Sequence, residues 1–163
     1  MKKIKHIALL SVLIPSLTVH ASKVETEEIE VPAKVQEACD KYGEQYGICP
    51  ELLEAICWKE SRFDNKAVDS TLKCIGLMQV NAPTHRKRMQ RLGIYDLFDV
   101  DNNVHVGADI LSELFDYNED VSLVLMLYHG EKNAIYKAKR GKISKYAKEI
   151  LEISEELERA HGK

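Results

Sequence analysis

The chain has 163 residues, 45% hydrophobic and 30% charged, which suits one globular domain with a core of its own. Its formal charge is −3, so it offers nucleic acid or an anionic lipid surface no long-range attraction. Residues 1–21 read as a secretory signal peptide: Lys2, Lys3 and Lys5 make a basic start, residues 7–17 a short apolar run broken by Pro15, and Val19-His20-Ala21 a small-residue cleavage site. The apolar run is too short to cross a bilayer, and no cysteine stands at the cleavage point to carry a lipid. A secreted protein, extracellular or periplasmic and without a membrane anchor, is therefore expected. Cleavage would remove three lysines and no acid, taking the charge from −3 to −6.

Residues 22–31 are acidic and poor in apolar side chains, which predicts a flexible leader, and residues 32–163 are expected to form the folded domain. Pro32 opens a helix on which Val35, Ala38, Cys39, Tyr42 and Tyr46 recur at helical spacing, and Gly47 is placed to end it in a left-handed cap. Pro50 opens a second helix at once, so the two form a hairpin. Glu51 and Glu54 fall where the helix dipole favours negative charge. Leu53, Ile56 and Cys57 form the apolar stripe. Residues 62–73 are polar and aperiodic and predict a loop, with a short strand pair around residues 76–80.

Pro83 opens a short basic helix carrying Arg86, Lys87, Arg88 and Arg91, read as a solvated face, and Gly93 ends it. Asn102 or Asn103 is expected to cap the next helix, whose stripe is Val104, Gly107, Ala108, Leu111, Leu114 and Phe115. Asp120 caps residues 121–128, apolar nearly all round and so a buried centre. A last helix covers about residues 144–159, docked by Tyr146, Ala147, Ile150 and Leu157.

Glu60 is the anomaly. It occupies the next position on the stripe of Leu53, Ile56 and Cys57, and an inward carboxylate must find a partner, shift its pKa or do chemistry. It also lies near a helix C-terminus, where the dipole disfavours negative charge. Both effects favour the protonated form that a general acid needs. Read on spacing alone, the residue is more often an ordinary surface glutamate, since glutamate is almost always exposed.

Four segments in order change that balance. Glu60-Ser61-Arg62-Phe63 with Ala67, Gly76-Leu77-Met78-Gln79-Val80, Asn103-Val104-His105-Val106-Gly107 with Ile110-Leu111, and Leu125-Met126-Leu127-Tyr128 together resemble the soluble lytic transglycosylase family, over about residues 35–146. The resemblance implies a mainly α, lysozyme-like fold and cleavage of peptidoglycan glycan strands between N-acetylmuramic acid and N-acetylglucosamine. It implies Glu60 as the catalytic residue, with Ser61, Met78, Gln79, Asn103 and Tyr128 toward the substrate. In that family the glutamic acid protonates the glycosidic oxygen, then accepts the proton of the sugar's own 6-hydroxyl as that oxygen closes a 1,6-anhydro ring. An intramolecular nucleophile makes a second carboxylate dispensable. His129 and Gly130 depart from the family, which usually has Asn after the tyrosine.

Two other readings stand beside it: a goose-lysozyme-like muramidase with Asp64 or Asp69 positioning water, and a non-catalytic glycan-binding or secretion-assembly protein. No cofactor is called for, and a monomer is expected. The four cysteines, at 39, 49, 57 and 74, lack Cys-x-x-Cys or close Cys/His spacing, which disfavours zinc, and an even count in an exported chain predicts two disulfides. Positions 39 and 57 are symmetric about the hairpin turn and both face its seam, which pairs Cys39 with Cys57 and leaves Cys49 with Cys74.

Overall fold

The computed structural model describes residues 29–163. The expected signal peptide, and the leader as far as residue 28, lie outside the described residues. The elements run α1 (Ala33–Tyr46), α2 (Pro50–Ser61), β1 (Cys74–Ile75), β2 (Val80–Asn81), α3 (Ala82–Leu92), α4 (Val100–Tyr117), α5 (Val121–Tyr128), α6 (Ala134–Ala138) and α7 (Lys145–Ala160). The strands pair antiparallel, Cys74 with Asn81 and Ile75 with Val80, so the architecture is mainly α with a minimal hairpin. Ile29 and Val31, at the end of the expected leader, pack partly buried against the core.

Local chemistry explains most boundaries. Gly47 ends α1 at φ 66° and returns its N–H to the last turn, a conformation that costs glycine no Cβ clash. Pro50 starts α2 where a backbone N–H would have no partner. Asp120 accepts from the N–H groups of Ser122 and Leu123 at the head of α5, and Ser144 from Ala147 at the head of α7.

Two boundaries differ from expectation. α4 starts at Val100 under an Asp99 cap, whose side chain accepts from Asn102 N; Asn103 is instead drawn into the interior. α6 is only five residues long, too short to show a helical period in the sequence.

α2 packs between α1 and α7, α4 packs on α1 and α5, and α5 on α4, α6 and α7. Leu53, Ile56, Cys57, Leu111, Leu125 and Ile150 are wholly buried where these helices meet. Truncating such a leucine or isoleucine to alanine costs about 2–5 kcal/mol. α5 is less enclosed than its composition suggested. Val124, Leu125 and Met126 are buried, while Leu127 and Tyr128 reach a cleft.

The cysteines are free thiols in this structure. Cys39 and Cys57 are both buried where α1 packs on α2, and the neighbouring Cys57 thiol together with burial raises the Cys39 pKa. The Cys49–Cys74 pairing is corrected. Cys49 precedes α2 and lies against Glu51 and Glu158, whereas Cys74 lines the cleft with Glu60 at the other end of that helix. A twelve-residue helix is about 18 Å long, far beyond the reach of a disulfide, about 6 Å between Cα atoms.

The two first-turn glutamates of α2 are also inside rather than in solvent. Glu51 accepts from Lys163 Nζ at 2.6 Å, His161 Nδ1 at 2.9 Å and Cys49 Sγ at 3.0 Å. Burial pushes its pKa up, but the Lys163, Cys49 and His161 contacts outweigh it and hold the carboxyl at about 2.

Glu54 has no such partners. It is wholly buried, neither carboxyl oxygen has a hydrogen-bond partner among the described residues, and burial pushes its pKa up to about 7. A carboxyl with a higher pKa folded than unfolded binds its proton better in the native state. It therefore costs nothing below the unfolded value and destabilises progressively as pH rises through that value toward 7. Replacing Glu54 by Gln should raise stability at pH 8.5 relative to pH 4.5 by about 3 kcal/mol against the native chain. Denaturant midpoints at the two pH values check this; a pH-independent difference contradicts it.

Candidate active site

A cleft of about 590 Å³ opens between the end of α2, the hairpin, α3, α4 and the end of α5. Glu60, Gln79 and Tyr128 lie in its wall, with Asp69, Cys74 and His129 among the others. Glu60 is the penultimate residue of α2, its side chain 16% exposed. The Tyr146 hydroxyl of α7 donates to Glu60 Oε1, and His129 Nδ1 stands 4.0 Å from the same oxygen. Burial raises the Glu60 pKa above the ordinary carboxylate value, against the lowering influence of the Tyr146 hydroxyl, His129 and Lys59. Glu60 is thus a carboxyl inclined to hold its proton yet open on one side to a ligand. Burial and the neighbouring Glu60 also hold the Tyr146 phenol firmly protonated, so it remains a donor.

Tyr146 is the contact that sequence reading missed. Its helical spacing shows only that it docks α7, although a buried tyrosine hydroxyl needs a partner and Glu60 needs a donor.

The chain after α2 is strained. Arg62 and Phe63 have φ of 54° and 62°, and Gln79 47°, a region that non-glycine residues occupy at a cost of about 1–3 kcal/mol. Arg62 stacks over the Trp58 ring at 4.2 Å, and Trp58 packs on Phe63, which offsets part of that cost.

Ser61, Met78 and Asn103 lie behind the cleft rather than in its lining. Ser61 Oγ is 2.9 Å from Leu77 O and 3.0 Å from Cys57 O, tying the hairpin loop to α2. Met78 is wholly buried against Gly107, where a Cβ would sit 2.2 Å from its sulfur. Asn103 is also wholly buried. Its Oδ1 accepts from Met78 N at 2.9 Å, and its Nδ2 donates to Ile75 O at 2.9 Å and Leu97 O at 2.7 Å. A Cβ on Gly76 would come within 2.2 Å of Asn103 Nδ2, so the glycine makes room for this clamp. Tyr128, whose ring reaches the cleft, donates its hydroxyl to Met78 O at 2.8 Å. Gln79 Nε2 donates to Gly76 O at 3.0 Å and Ala67 O at 3.2 Å.

Asp69 is bound up in its own loop. Its oxygens accept from Lys73 N at 2.7 Å, Cys74 N at 2.8 Å, Thr71 N at 3.2 Å and the Thr71 hydroxyl. The Thr71 hydroxyl, followed by these backbone groups, holds its pKa down to about 2. Four donors fill the roughly four lone-pair positions of a carboxylate. Asp64 accepts from Lys66 N and does not line the cleft.

The basic helix is not simply solvated. Arg88 lines the cleft from α3 and is bound to Asp109 and Glu113 of α4, and Arg91 reaches Asp109 at 2.7 Å.

A model of the Transglycosylase SLT domain family matches residues 37–151. The chain belongs to this family of SLT transglycosylases. It is 31% identical over 128 residues to Protein IpgF of Shigella flexneri, covering 75% of this chain and 77% of that one. The same identity and coverage hold for the Shigella sonnei protein. It is 33% identical over 89 residues to a Transglycosylase of Enterobacteria phage PRD1, covering 55% of this chain and 32% of the phage protein. The helical fold with its two-stranded hairpin is the lysozyme-like arrangement expected from the resemblance, and the SLT domain implies peptidoglycan as substrate.

Asn103 gives a test of the clamp. Asn103→Ala strands Met78 N, Ile75 O and Leu97 O in the interior, and at about 1–3 kcal/mol per stranded group the net loss should reach about 3 kcal/mol, read as a lowered denaturation midpoint. A loss under 1 kcal/mol contradicts the clamp.

Proposed function

We propose that this SLT transglycosylase cleaves the β-1,4 bond between N-acetylmuramic acid and N-acetylglucosamine, with Glu60 as both acid and base and a 1,6-anhydro sugar as product. The observation that carries the reading is a largely enclosed Glu60 that still lines the cleft, raised in pKa by burial and holding one hydrogen bond from Tyr146. The carboxyl gives its proton to the departing glycosidic oxygen. The resulting carboxylate, next to the anomeric carbon, then takes the proton of the muramic acid 6-hydroxyl as that oxygen closes on the same carbon. One proton leaves Glu60 and one returns, and no water is consumed. Proximity of the hydroxyl replaces the second carboxylate that hydrolysis usually employs.

The state of Asp69 supports this over the muramidase reading, because each of its oxygens is already taken by the loop. Gln79 and Tyr128, in the cleft wall, would contact the sugar, while Ser61, Met78 and Asn103 would shape that wall from behind. With a substrate in the cell wall, the protein would act after export, in the periplasm or outside the cell. The non-catalytic reading has no observation in its favour beyond the unusual residue at position 129.

Glu60→Gln keeps size and hydrogen bonding but has no carboxyl proton to give. Clearing of purified peptidoglycan by this variant should fall by at least about 10²–10⁴, with circular dichroism unchanged. Near-native clearing would remove Glu60 from the mechanism.

A further inference from the structure

Position 129 is where the chain leaves the family pattern, and the structure gives its histidine a defined setting. His129 follows α5 with its backbone N–H bonded to Leu125 O at 3.0 Å. Its ring lies on that of Tyr146, centroids 3.9 Å apart and planes 16° from parallel. Nδ1 is 4.0 Å from Glu60 Oε1, the oxygen that receives the Tyr146 hydroxyl. The His129 side chain is 46% exposed and that of Glu60 16%. The imidazole can exchange protons with solvent while standing beside a carboxyl that is largely enclosed.

We propose that His129 is a positioning residue acting through Glu60: by gaining or losing a proton it switches a positive charge on and off beside the carboxyl, and so sets the pH at which Glu60 ionises. The inference rests on the reading of Glu60 as acid and base.

The other groups facing Glu60 do not supply such a switch. From α7 comes the Tyr146 phenol, and from the end of α5 the Tyr128 phenol, both held protonated by burial. Lys59, beside Glu60 on α2, is engaged by Glu149 of α7 at 2.5 Å. From the hairpin comes the Cys74 thiol, whose pKa burial raises. Asp69 is held ionised by its loop, and Glu131, beyond α5, by Lys137 at 2.7 Å, which helps lower its pKa against burial. Imidazole is the side-chain type that ordinarily changes charge between about pH 5 and 8, and His129 is the one imidazole in this group.

The stack on Tyr146 fixes the ring and suits a cation, which the face of an aromatic ring attracts. An imidazolium there eases loss of the Glu60 proton to the glycosidic oxygen and stabilises the carboxylate until the 6-hydroxyl proton arrives. His129 itself transfers no proton in this scheme. An asparagine at this position would offer a dipole and no switch. An opposite charge at such a distance lowers a carboxyl pKa by about 1–3 units, and the exposure of His129 places the effect near one unit.

The test follows the Glu60 carboxyl by 13C NMR across pH in the full chain, in H129N and in H129K, with thermal melts to confirm folding. H129N should move the Glu60 titration up by about one pH unit. H129K, with a permanent cation, should bring it back to the native value or below. A purely structural role for the ring would move both variants the same way, and that result, or three coincident titrations, overturns the inference. If H129K does not fold, H129Q must reproduce the upward shift of H129N, and an unchanged Glu60 titration in both neutral variants overturns it as well. The measurement needs no substrate, so it is informative even if the protein cleaves nothing. If Glu60 titrates as expected while the pH profile of muropeptide release does not follow, it is the reading of Glu60 as the acid that fails.

Discussion

Glu60 ends a row whose other inward positions are Leu53, Ile56 and Cys57, and the Tyr146 hydroxyl is what allows a carboxyl to stand there. The donor comes from α7, so the site exists only when α7 is docked. Ala147, Ile150 and Leu157 bury that helix against the core, and Lys59 of α2 meets Glu149 of α7 beside the same contact. Glu54, six residues earlier on α2, shows the alternative. It is wholly buried and has no hydrogen-bond partner among the described residues, and burial raises its pKa too, yet it does not line the cleft that holds Glu60. Burial makes a carboxyl hold its proton; an opening on one side and a fixed donor on the other make that proton usable.

The hairpin loop depends on the same docking seen from the other direction. Ser61 of α2, Asn103 of α4 and Tyr128 of α5 all hydrogen-bond to backbone atoms within residues 75–78. Gly76 and Gly107 lack side chains where Asn103 and Met78 need the space. The four segments that carry the family resemblance are thus largely one mutual contact. Three helices hold a strained loop in place so that Gln79, at φ 47°, lines the cleft with Glu60. Each buried hydrogen bond adds about 1 kcal/mol net, but stranding a partner costs about 1–3 kcal/mol, so these positions constrain one another more tightly than a ligand alone would.

The sequence made the helices legible because their stripes recur at helical spacing and their ends carry Pro50, Gly47, Asp120 and Ser144. Glu60 stood out as a charge on an apolar stripe. What stayed hidden was long-range. Nothing local says that the Tyr146 hydroxyl meets Glu60, 86 positions away, or that Lys163 and His161 fold back on Glu51. Without those partners the sequence shows only that the first-turn glutamates of α2 complement the helix dipole. Cys49 was matched to Cys74 by elimination, which ignores the length of α2 between them. Asn103 read as a cap because asparagine caps helices well, but Asp99 takes that place while Asn103 turns inward.

One carboxyl that gives a proton and takes one back needs no second acid, and the other carboxylates in the cleft wall are engaged: Asp69 by its own loop and Glu113 by Arg88. The direct measurement is mass spectrometry of the muropeptides released from purified peptidoglycan. Products one water lighter than hydrolysis products, carrying 1,6-anhydro ends and no new reducing ends, are what this account predicts. Muropeptides with reducing N-acetylmuramic acid ends would contradict it and show that water, not the sugar's own hydroxyl, attacks in this cleft.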